Sequence, residues 1–227
     1  MSNDIRICVC SAESFNDRDT FERYISRVSK YRREKIEKYR FMKDKALSLA
    51  AGLMLSYALE SEGISEMNQE YIVGEHGRPE LKAYPDISFN ISHSGNMAAL
   101  VFSTKHRVAI DIEQIRQYPD KVAEKYFSPH EKDMLYRKSE GHSREEYFYA
   151  CWTRKEAYGK LAGSGLDFSD IMINNTFDND FLNRNGIYMK TLSPVPGYIV
   201  SAASNDREIL GSDFLVRSLI TNKEENI

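Results

Sequence analysis

Three strand-like segments follow one another at positions 87–113, and they constrain the fold more than any other feature of the chain. Ile87–Ser92, Met97–Ser103 and Val108–Glu113 have the length and apolar patterning of consecutive β-strands. The turn at 94–96 contains Gly95 followed by an asparagine, which is typical of a hairpin. A long helical pattern at about 32–61 precedes the three strands, so this part of the chain predicts an α+β unit.

The same order of elements recurs in the second part of the chain. Helical patterns at about 119–138 and 144–162 are followed by strand patterns, the clearest at Ile187–Leu192, Tyr198–Ala203 and Phe214–Leu219. This order predicts an α+β fold in which two similar halves of one chain, residues 1–115 and 116–227, are arranged with pseudo-twofold symmetry. We expect a binding cleft between the halves.

Shorter patterns complete this prediction. Ile5–Cys10 alternates as a strand does, and residues 73–86 have the glycines and prolines of a loop. Gly163 and Gly165 are expected to end the helix at 144–162. One face of the first helical region is apolar at helical spacing, namely Ala46, Leu49, Ala50, Leu53, Tyr57 and Ala58.

Composition and charge exclude several classes of protein. The 227 residues have a net charge of -3, and no stretch approaches the roughly 18 apolar residues of a membrane span. We therefore expect neither nucleic acid nor a membrane as partner. The three cysteines show no zinc-binding spacing, and the N-terminus lacks the pattern of a signal peptide, which together predict a cytoplasmic protein. Ten Lys and Arg residues within 23–45 favour an anionic partner or form a solvated helix face.

The segment Val108–Glu113 places two carboxylates on one face of a strand. Because side chains alternate along a strand, Asp111 and Glu113 point to the side opposite Val108, Ile110 and Ile112. Neighbouring carboxylates repel each other unless a cation lies between them, and paired carboxylates are ligands that magnesium prefers. A polar, solvent-facing strand edge is the other interpretation.

A second set of charged residues lies on the helix at 144–162. Trp152, Glu156 and Lys160 share one helix face at four-residue spacing, and Lys155 lies about 100° around the helix from Glu156. The carboxylate is suited to a metal or to accepting a proton, and the lysines are suited to phosphate groups. An ordinary surface Glu–Lys pair beside a core tryptophan is the other interpretation.

Two further segments are weaker candidates. Ser92 and His93 are adjacent in a predicted strand and therefore face opposite sides, which excludes a nucleophile–base pair. Contact with an anion is a better interpretation of the pair, although His93 also fits a structural role. Arg78 stands before a proline in a loop, where it suits phosphate recognition or is a plain surface residue.

Taken together and in this order, these segments resemble a phosphopantetheinyl transferase of the Sfp type. The family pattern corresponds here to Gly77-Arg78-Pro79, to Phe89–Ser94, to Ala109–Glu113, to Phe127-Ser128-Pro129-His130-Glu131 and to Trp152–Lys160, with a turn at Gly163–Leu166. The resemblance extends over about residues 30–170. Ala109 replaces the usual glycine and Arg78 the usual lysine, while Leu47 stands where many relatives have arginine.

The resemblance implies a role for each matching residue. Asp111, Glu113 and Glu156 match magnesium ligands, and Glu156 and Lys155 match the catalytic positions. The residues that match coenzyme A contacts are Arg78, Ser92, His93, Lys155 and Lys160, with further phosphate or carrier contacts expected at Lys43 and Lys45.

The activity implied is transfer of the 4'-phosphopantetheine group of coenzyme A to a serine of an apo acyl or peptidyl carrier protein. The products would be holo-carrier and 3',5'-ADP, and the proton would go to Glu156 or to a metal-bound water. Mg²⁺ is the implied ion, and Mn²⁺ takes the same oxygen ligands. The resemblance also implies a monomer, because both halves of the site lie in one chain. A homologue that binds coenzyme A or carrier protein without catalysis is the alternative.

Overall fold

The chain folds into two four-stranded sheets, each with a long helix on its outer face. The computed structural model describes residues 4–74, 77–163, 177, 181–184, 186–212, 214–216 and 219. The strands are β1 (Arg6–Ser11), β2 (Tyr71–Val73), β3 (Pro79–Leu81), β4 (Ser88–Ser94), β5 (Met97–Ser103), β6 (Val108–Gln114), β7 (Phe181–Arg184), β8 (Ile187–Leu192), β9 (Tyr198–Ser204) and β10 (Phe214–Val216). The helices are α1 (Arg18–Ile25), α2 (Lys30–Glu37), α3 (Met42–Glu60), α4 (Asp120–Tyr126), α5 (Pro129–Arg137), α6 (His142–Ala162) and α7 (Glu208–Gly211).

The first sheet has the strand order β10-β1-β5-β4, and the second has the order β6-β9-β8-β7. Neighbouring strands are antiparallel except for β1 and β10, which run parallel. Helix α3 packs on the first sheet and α6 on the second. The α+β class is confirmed, and these two sheet-and-helix units are what the predicted pseudo-twofold arrangement requires.

The two sheets face each other across an apolar core. Its residues include Ile7 and Val101 from the first sheet and Ile110 and Val200 from the second. Strand β6 belongs to the second sheet, whereas β10 returns from the end of the chain to the first. The division of the chain at 115/116 stays a prediction.

Strands β4 and β6 meet through side chains rather than through a backbone ladder. Ser88 Oγ accepts a hydrogen bond from Val108 N at 3.1 Å, Asn90 Oδ1 accepts from Ile110 N at 3.0 Å, and Ser94 Oγ accepts from Gln114 N at 3.1 Å. In each pair the β6 residue lies 20 positions after its β4 partner, so the two strands run in the same direction. We call this row of contacts the seam.

The predicted helical region at 32–61 is wrong as one unit, because α2 and α3 are separate helices. Phe41 between them has extended backbone, with φ -95° and ψ 141°. The break allows α2 to fold back on α3, where Gly52 lets the Arg32 side chain approach: a Cβ there would lie 2.8 Å from Arg32 Cγ. Helix α3 is buried on more than the predicted face, since Leu47 and Leu55 are also in the core.

The helical pattern at 119–138 is likewise two helices. Ser128 accepts a hydrogen bond from Glu131 N, and the Glu131 side chain accepts one from Ser128 N, so a capping box starts α5 with Pro129 in its first turn. The predicted loop at 73–86 contains β3, which pairs with β2. Gly163 ends α6 in a left-handed conformation, as predicted.

Some predictions fall outside the described residues: the Ser164–Leu166 part of the glycine turn, including Gly165, and part of the strand predicted at 214–219. In the part of the chain that the structure describes, no helix combines the length and apolar character needed to cross a membrane.

Candidate active site

Three carboxylates meet where α6 crosses the outer face of β6. Asp111 and Glu113 leave β6 on the side opposite the intersheet core, and Glu156 approaches from α6. Burial, followed by the charges of Asp111 and Glu113, raises the pKa of Glu156 to about 7. Burial and the Asp111 charge also raise the pKa of Glu113. We call these three residues the acid cluster.

Lys160 is the cation held against the acid cluster. Its Nζ lies 2.7 Å from Oδ1 of Asp111 and also donates to the carbonyl oxygen of Ile110 at 3.1 Å and to Ser92 Oγ at 3.3 Å. Since α6 carries Glu156 and Lys160 one turn apart, both side chains reach the same strand, which the four-residue spacing predicted.

The acid cluster contains a buried carboxylate oxygen that is suited to binding a cation. Asp111 is only 5% exposed, and its Oδ2 is buried with no hydrogen-bond partner among the described residues. Three carboxyl groups face Lys160, and the Arg116 charge also acts on Glu113. Carboxylates that repel each other in a buried site are stabilised by a shared cation. An oxygen-only donor set of this kind fits Mg²⁺ or Mn²⁺.

A second set of possible ligands lies elsewhere. His106 Nδ1 is 3.9 Å from Asp206 Oδ2, and its Nε2 is 4.0 Å from Glu208 Oε2. These ligand atoms lie within 4.8 Å of one another, a spacing that the acid cluster does not meet among the described residues. Acidic groups beside a histidine at the surface are common without an ion, so this group does not by itself indicate a metal.

A cavity of about 730 Å³ opens beside Lys160. Its lining includes Arg78, Arg107 and the glycines Gly77 and Gly159. The Arg78 guanidinium bridges the two sheets: Nη2 donates to the carbonyl oxygens of Phe89 at 2.6 Å and of Val108 at 2.9 Å. Burial, followed by the nearby Arg107 charge, lowers the pKa of Arg78. The cavity therefore has a basic wall that suits an anionic ligand.

A smaller cavity of about 120 Å³ adjoins the first, because Pro79, Phe89 and Asn90 line both. Arg32 and Ser48 form its floor, and they are 4% and 5% exposed. Arg32 Nε and Ser48 Oγ are buried and have no hydrogen-bond partner among the described residues. Such groups are costly to bury unpaired, so this floor fits an anion with several acceptor oxygens.

Lys35 and His93 lie at the mouth of the smaller cavity. Desolvation and the Arg32 charge lower the pKa of Lys35. Desolvation, followed by the Lys35 charge, lowers the pKa of His93. Each positive charge disfavours the protonated form of its neighbours, and an anion bound between them would relieve this repulsion. We call Arg32, Lys35, Ser48 and His93 the anion pocket.

The anion pocket contains residues that sequence reasoning missed. Lys43 and Lys45 were expected to contact phosphate or carrier, but neither lines the two cavities; Lys43 is exposed and Lys45 half-buried. Arg32 and Lys35 stand in the same basic run, where charge alone does not distinguish them. The available signal was their three-residue spacing, which places both on one helix face.

Lys155 is not brought to the acid cluster. Its side chain is fully buried, with Nζ 3.0 Å from Glu131 Oε2 and 4.7 Å from the centre of the Phe177 ring. Glu131 Oε1 also accepts a hydrogen bond from Phe177 N at 2.7 Å. Because consecutive helix residues are 100° apart, the face of α6 that directs Glu156 to β6 turns Lys155 towards α5.

Ser92 and His93 point to opposite sides of β4, as predicted. Ser92 Oγ donates to Asp111 Oδ1 at 2.8 Å, whereas His93 lines the anion pocket. Trp152 packs near Phe148 and Tyr126, with ring centres 6.4 and 5.8 Å away. The structure therefore brings together Asp111, Glu113, Glu156, Lys160 and Ser92, with Arg78 and His93 in the adjoining cavities.

Two family models match this chain, one over each part of it. The family model of the 4'-phosphopantetheinyl transferase superfamily matches residues 107–202, and the model of the 4'-phosphopantetheinyl transferase N-terminal region matches residues 16–105. The chain belongs to the 4'-phosphopantetheinyl transferase superfamily, and its similarity is to Sfp-type members.

Among the relatives is a 4'-phosphopantetheinyl transferase of Bacillus subtilis, 34% identical over 64% of this chain and 64% of that protein. The 4'-phosphopantetheinyl transferase gsp of Aneurinibacillus migulanus is 34% identical over 66% and 62% of the two chains. The 4'-phosphopantetheinyl transferase Sfp of Bacillus subtilis (strain 168) is 31% identical over 64% of each. The matched region thus covers less than two thirds of these relatives. The solved holo-[acyl-carrier-protein] synthase (AcpS) of Thermotoga maritima aligns with 43% of this chain and 61% of that chain at 21% identity and a TM-score of 0.30, too weak a likeness to bear on the fold.

Proposed function

We propose that this chain transfers the 4'-phosphopantetheine group of coenzyme A to a serine of an apo acyl or peptidyl carrier protein. The observation that carries the proposal is the acid cluster, whose Asp111 Oδ2 has no hydrogen-bond partner among the described residues, together with Lys160, which contacts Asp111 and lines the larger of two adjoining cavities with basic walls. A metal-binding acid group next to a long anionic-ligand site is what transfer from coenzyme A requires. We further propose that the protein acts as a cytoplasmic monomer.

Coenzyme A has two anionic parts, and the cavities offer a place for each. The anion pocket suits the 3'-phosphate of the nucleotide, because its floor presents Arg32 Nε and Ser48 Oγ without hydrogen-bond partners among the described residues. Lys160 and Arg78 line the larger cavity and suit the pyrophosphate. Ser92 contributes its hydroxyl where Lys160 meets Asp111.

Asp111, Glu113 and Glu156 are proposed to hold the divalent ion. An ion held there would neutralise the negative charge that develops on the pyrophosphate oxygens. Lys160 supplies further positive charge next to Asp111, at 2.7 Å. Lys155 has no direct place in this arrangement, since its Nζ is paired with Glu131.

The transfer itself needs a proton acceptor and alignment. The serine oxygen of the carrier attacks the phosphorus atom that bears the pantetheine, and the bond from that phosphorus to 3',5'-ADP breaks. Glu156 is the proposed acceptor of the serine proton, because it is the carboxylate that α6 presents to the site, and a positioned carboxylate is a suitable general base. The remaining rate gain comes from positioning the two reactants.

The carrier protein is proposed to bind near α2 and the start of α3. This stretch exposes basic residues together with Phe41, whose side chain is 62% exposed. Carrier proteins usually present an acidic helix, which a basic rim would attract. The segment 119–137 is the second candidate surface. Binding that weakens steeply with salt would favour the ionic contacts, and salt-insensitive binding would favour apolar ones.

Intact-mass spectrometry of an apo-carrier protein tests the proposal. The carrier is incubated with this protein, coenzyme A and Mg²⁺, and a parallel sample contains EDTA. Gain of one phosphopantetheine group, absent with EDTA, is the expected result. Failure to modify several unrelated carriers, by a folded protein that still binds coenzyme A, would instead favour a non-catalytic binding homologue.

A further inference from the structure

Ser94 stands at the end of the seam and contacts the acid cluster directly. Its Oγ donates a hydrogen bond to Glu113 Oε2 at 2.7 Å and accepts one from Gln114 N at 3.1 Å. One hydroxyl thus ties a carboxylate of the acid cluster to the backbone of the next residue on β6. A hydroxyl that uses both its donor and its acceptor in this way has a fixed direction.

The turn that carries Ser94 is itself held in place. Gly95 has φ +59°, and a Cβ at this position would meet the Tyr198 hydroxyl oxygen and lie 2.7 Å from Gln114 Oε1. Asn96 N donates to the same Tyr198 oxygen at 3.2 Å. The turn therefore packs closely on β9 and on the end of β6, which leaves Ser94 little freedom to move away from Glu113.

Ser92 and Ser94 share this arrangement, each contacting one acid. Ser92 donates to Asp111 Oδ1 and Ser94 to Glu113 Oε2, both from a residue 19 positions earlier in the chain. The constant offset follows from the seam, in which β4 and β6 run in the same direction. Ser88 makes the corresponding backbone contact at the other end, to Val108 N, and accepts a hydrogen bond from Arg78, but it contacts no carboxylate among the described residues.

We propose that Ser94 is a positioning residue that fixes the Glu113 carboxylate for binding of the divalent ion. This inference rests on the function proposed above. Ser94 donates a hydrogen bond to Oε2 of Glu113 and so orients the carboxylate lone pairs that remain for the ion. The same bond restrains the Glu113 side chain, which is only half-buried. Hydrogen bonds from outside the ligand set commonly change metal affinity 10–100-fold when they are removed.

Direct Mn²⁺ binding, measured by electron paramagnetic resonance with and without coenzyme A, tests this role without relying on activity. Ser94→Ala should bind Mn²⁺ about tenfold more weakly than the parent protein. Ser94→Thr keeps the hydroxyl and should restore affinity to within about twofold of the parent. Ser88→Ala is the matched control in the samples without coenzyme A, because it removes a backbone contact of the same seam and an Arg78 contact on the coenzyme A side, and should leave Mn²⁺ affinity unchanged there.

Parent-like Mn²⁺ binding by Ser94→Ala would overturn the inference while leaving the proposed function intact. Equal weakening in Ser94→Ala and Ser88→Ala would also overturn it, since the effect would then come from loosening of the seam. A parent protein that binds no Mn²⁺ in either condition would overturn the metal site and this inference together. Urea unfolding of the variants identifies any loss of fold.

Discussion

Lys155 and Glu131 form an ion pair from which solvent is excluded: Nζ lies 3.0 Å from Oε2, and neither side chain is exposed. Glu131 also accepts hydrogen bonds from Ser128 N and Phe177 N, both at 2.7 Å. One carboxylate therefore joins the start of α5, the middle of α6 and residue 177. This pairing fixes the rotation of α6, and with it the direction of Glu156.

Glu131→Gln should lower the free energy of unfolding by about 3–5 kcal/mol, because it leaves the Lys155 ammonium buried without its counter-charge. Chemical denaturation followed by circular dichroism measures this change. Glu124→Gln is a suitable control, since Glu124 contacts Lys132 and Tyr136 at the surface. A loss in Glu131→Gln no larger than in this control would contradict the account.

Arg32→Met should weaken coenzyme A binding about tenfold to a hundredfold, because a hydrogen bond between charged groups contributes about 1.5–3 kcal/mol. Dephospho-coenzyme A, which lacks the 3'-phosphate, should bind the parent protein and Arg32→Met almost equally. Calorimetric titration gives both affinities. Lys30→Met, at an exposed position paired with Glu34, serves as the control. Equal losses for both ligands would place the 3'-phosphate elsewhere.

His93 should report an anion in the anion pocket through its titration. Desolvation and the Lys35 charge lower its pKa in the ligand-free protein. A bound phosphate group favours the imidazolium form, so 3',5'-ADP should raise the pKa of His93. Nuclear magnetic resonance of the ring Cε1–H follows the titration. An unchanged pKa in protein saturated with the nucleotide would argue against contact with this histidine.

Glu156→Gln should stabilise the metal-free protein at neutral and higher pH. The pKa of Glu156 is raised to about 7, so its contribution to stability is present below pH about 4.5 and is lost as pH rises towards 7. Glutamine does not titrate, so the variant should be about 1–2 kcal/mol more stable than the parent at pH 8, allowing for partial solvent screening. At pH 4.5 the difference should nearly vanish.

Urea unfolding in EDTA at the two pH values measures this difference. Adding Mg²⁺ at pH 8 should reduce it, because the ion stabilises only a protein with the intact acid cluster. A variant less stable than the parent at pH 8 in EDTA would contradict the origin of the raised pKa.

The sequence predicts those parts of the site that depend on local geometry. Alternation along β6 places Asp111 and Glu113 on one side of the strand, and helical spacing places Glu156 and Lys160 together. These periodicities are properties of the backbone and hold whatever the surroundings. The capping box of Ser128 and Glu131 is a local signal of the same kind, but the pattern at 119–138 was predicted as one helix, so the start of α5 was missed.

The anion pocket depends on packing and could not be predicted in this way. Ten basic residues crowd positions 23–45, and only the fold of α2 against α3 at Gly52 buries Arg32 while leaving Lys43 exposed. Lys155 illustrates the same limit. Its partner Glu131 is 24 positions away, and local spacing does not reveal which neighbour covers that face of α6.

The rate of carrier modification by Glu156→Gln tests the central claim most directly. Parent and variant are compared by intact-mass spectrometry at saturating coenzyme A, carrier and Mg²⁺, after circular dichroism confirms that both are folded. Loss of a metal ligand that also accepts the proton should lower the rate at least about 100-fold, while coenzyme A still binds. A variant that modifies the carrier at nearly the parent rate would contradict the assignment of the acid cluster as the active site.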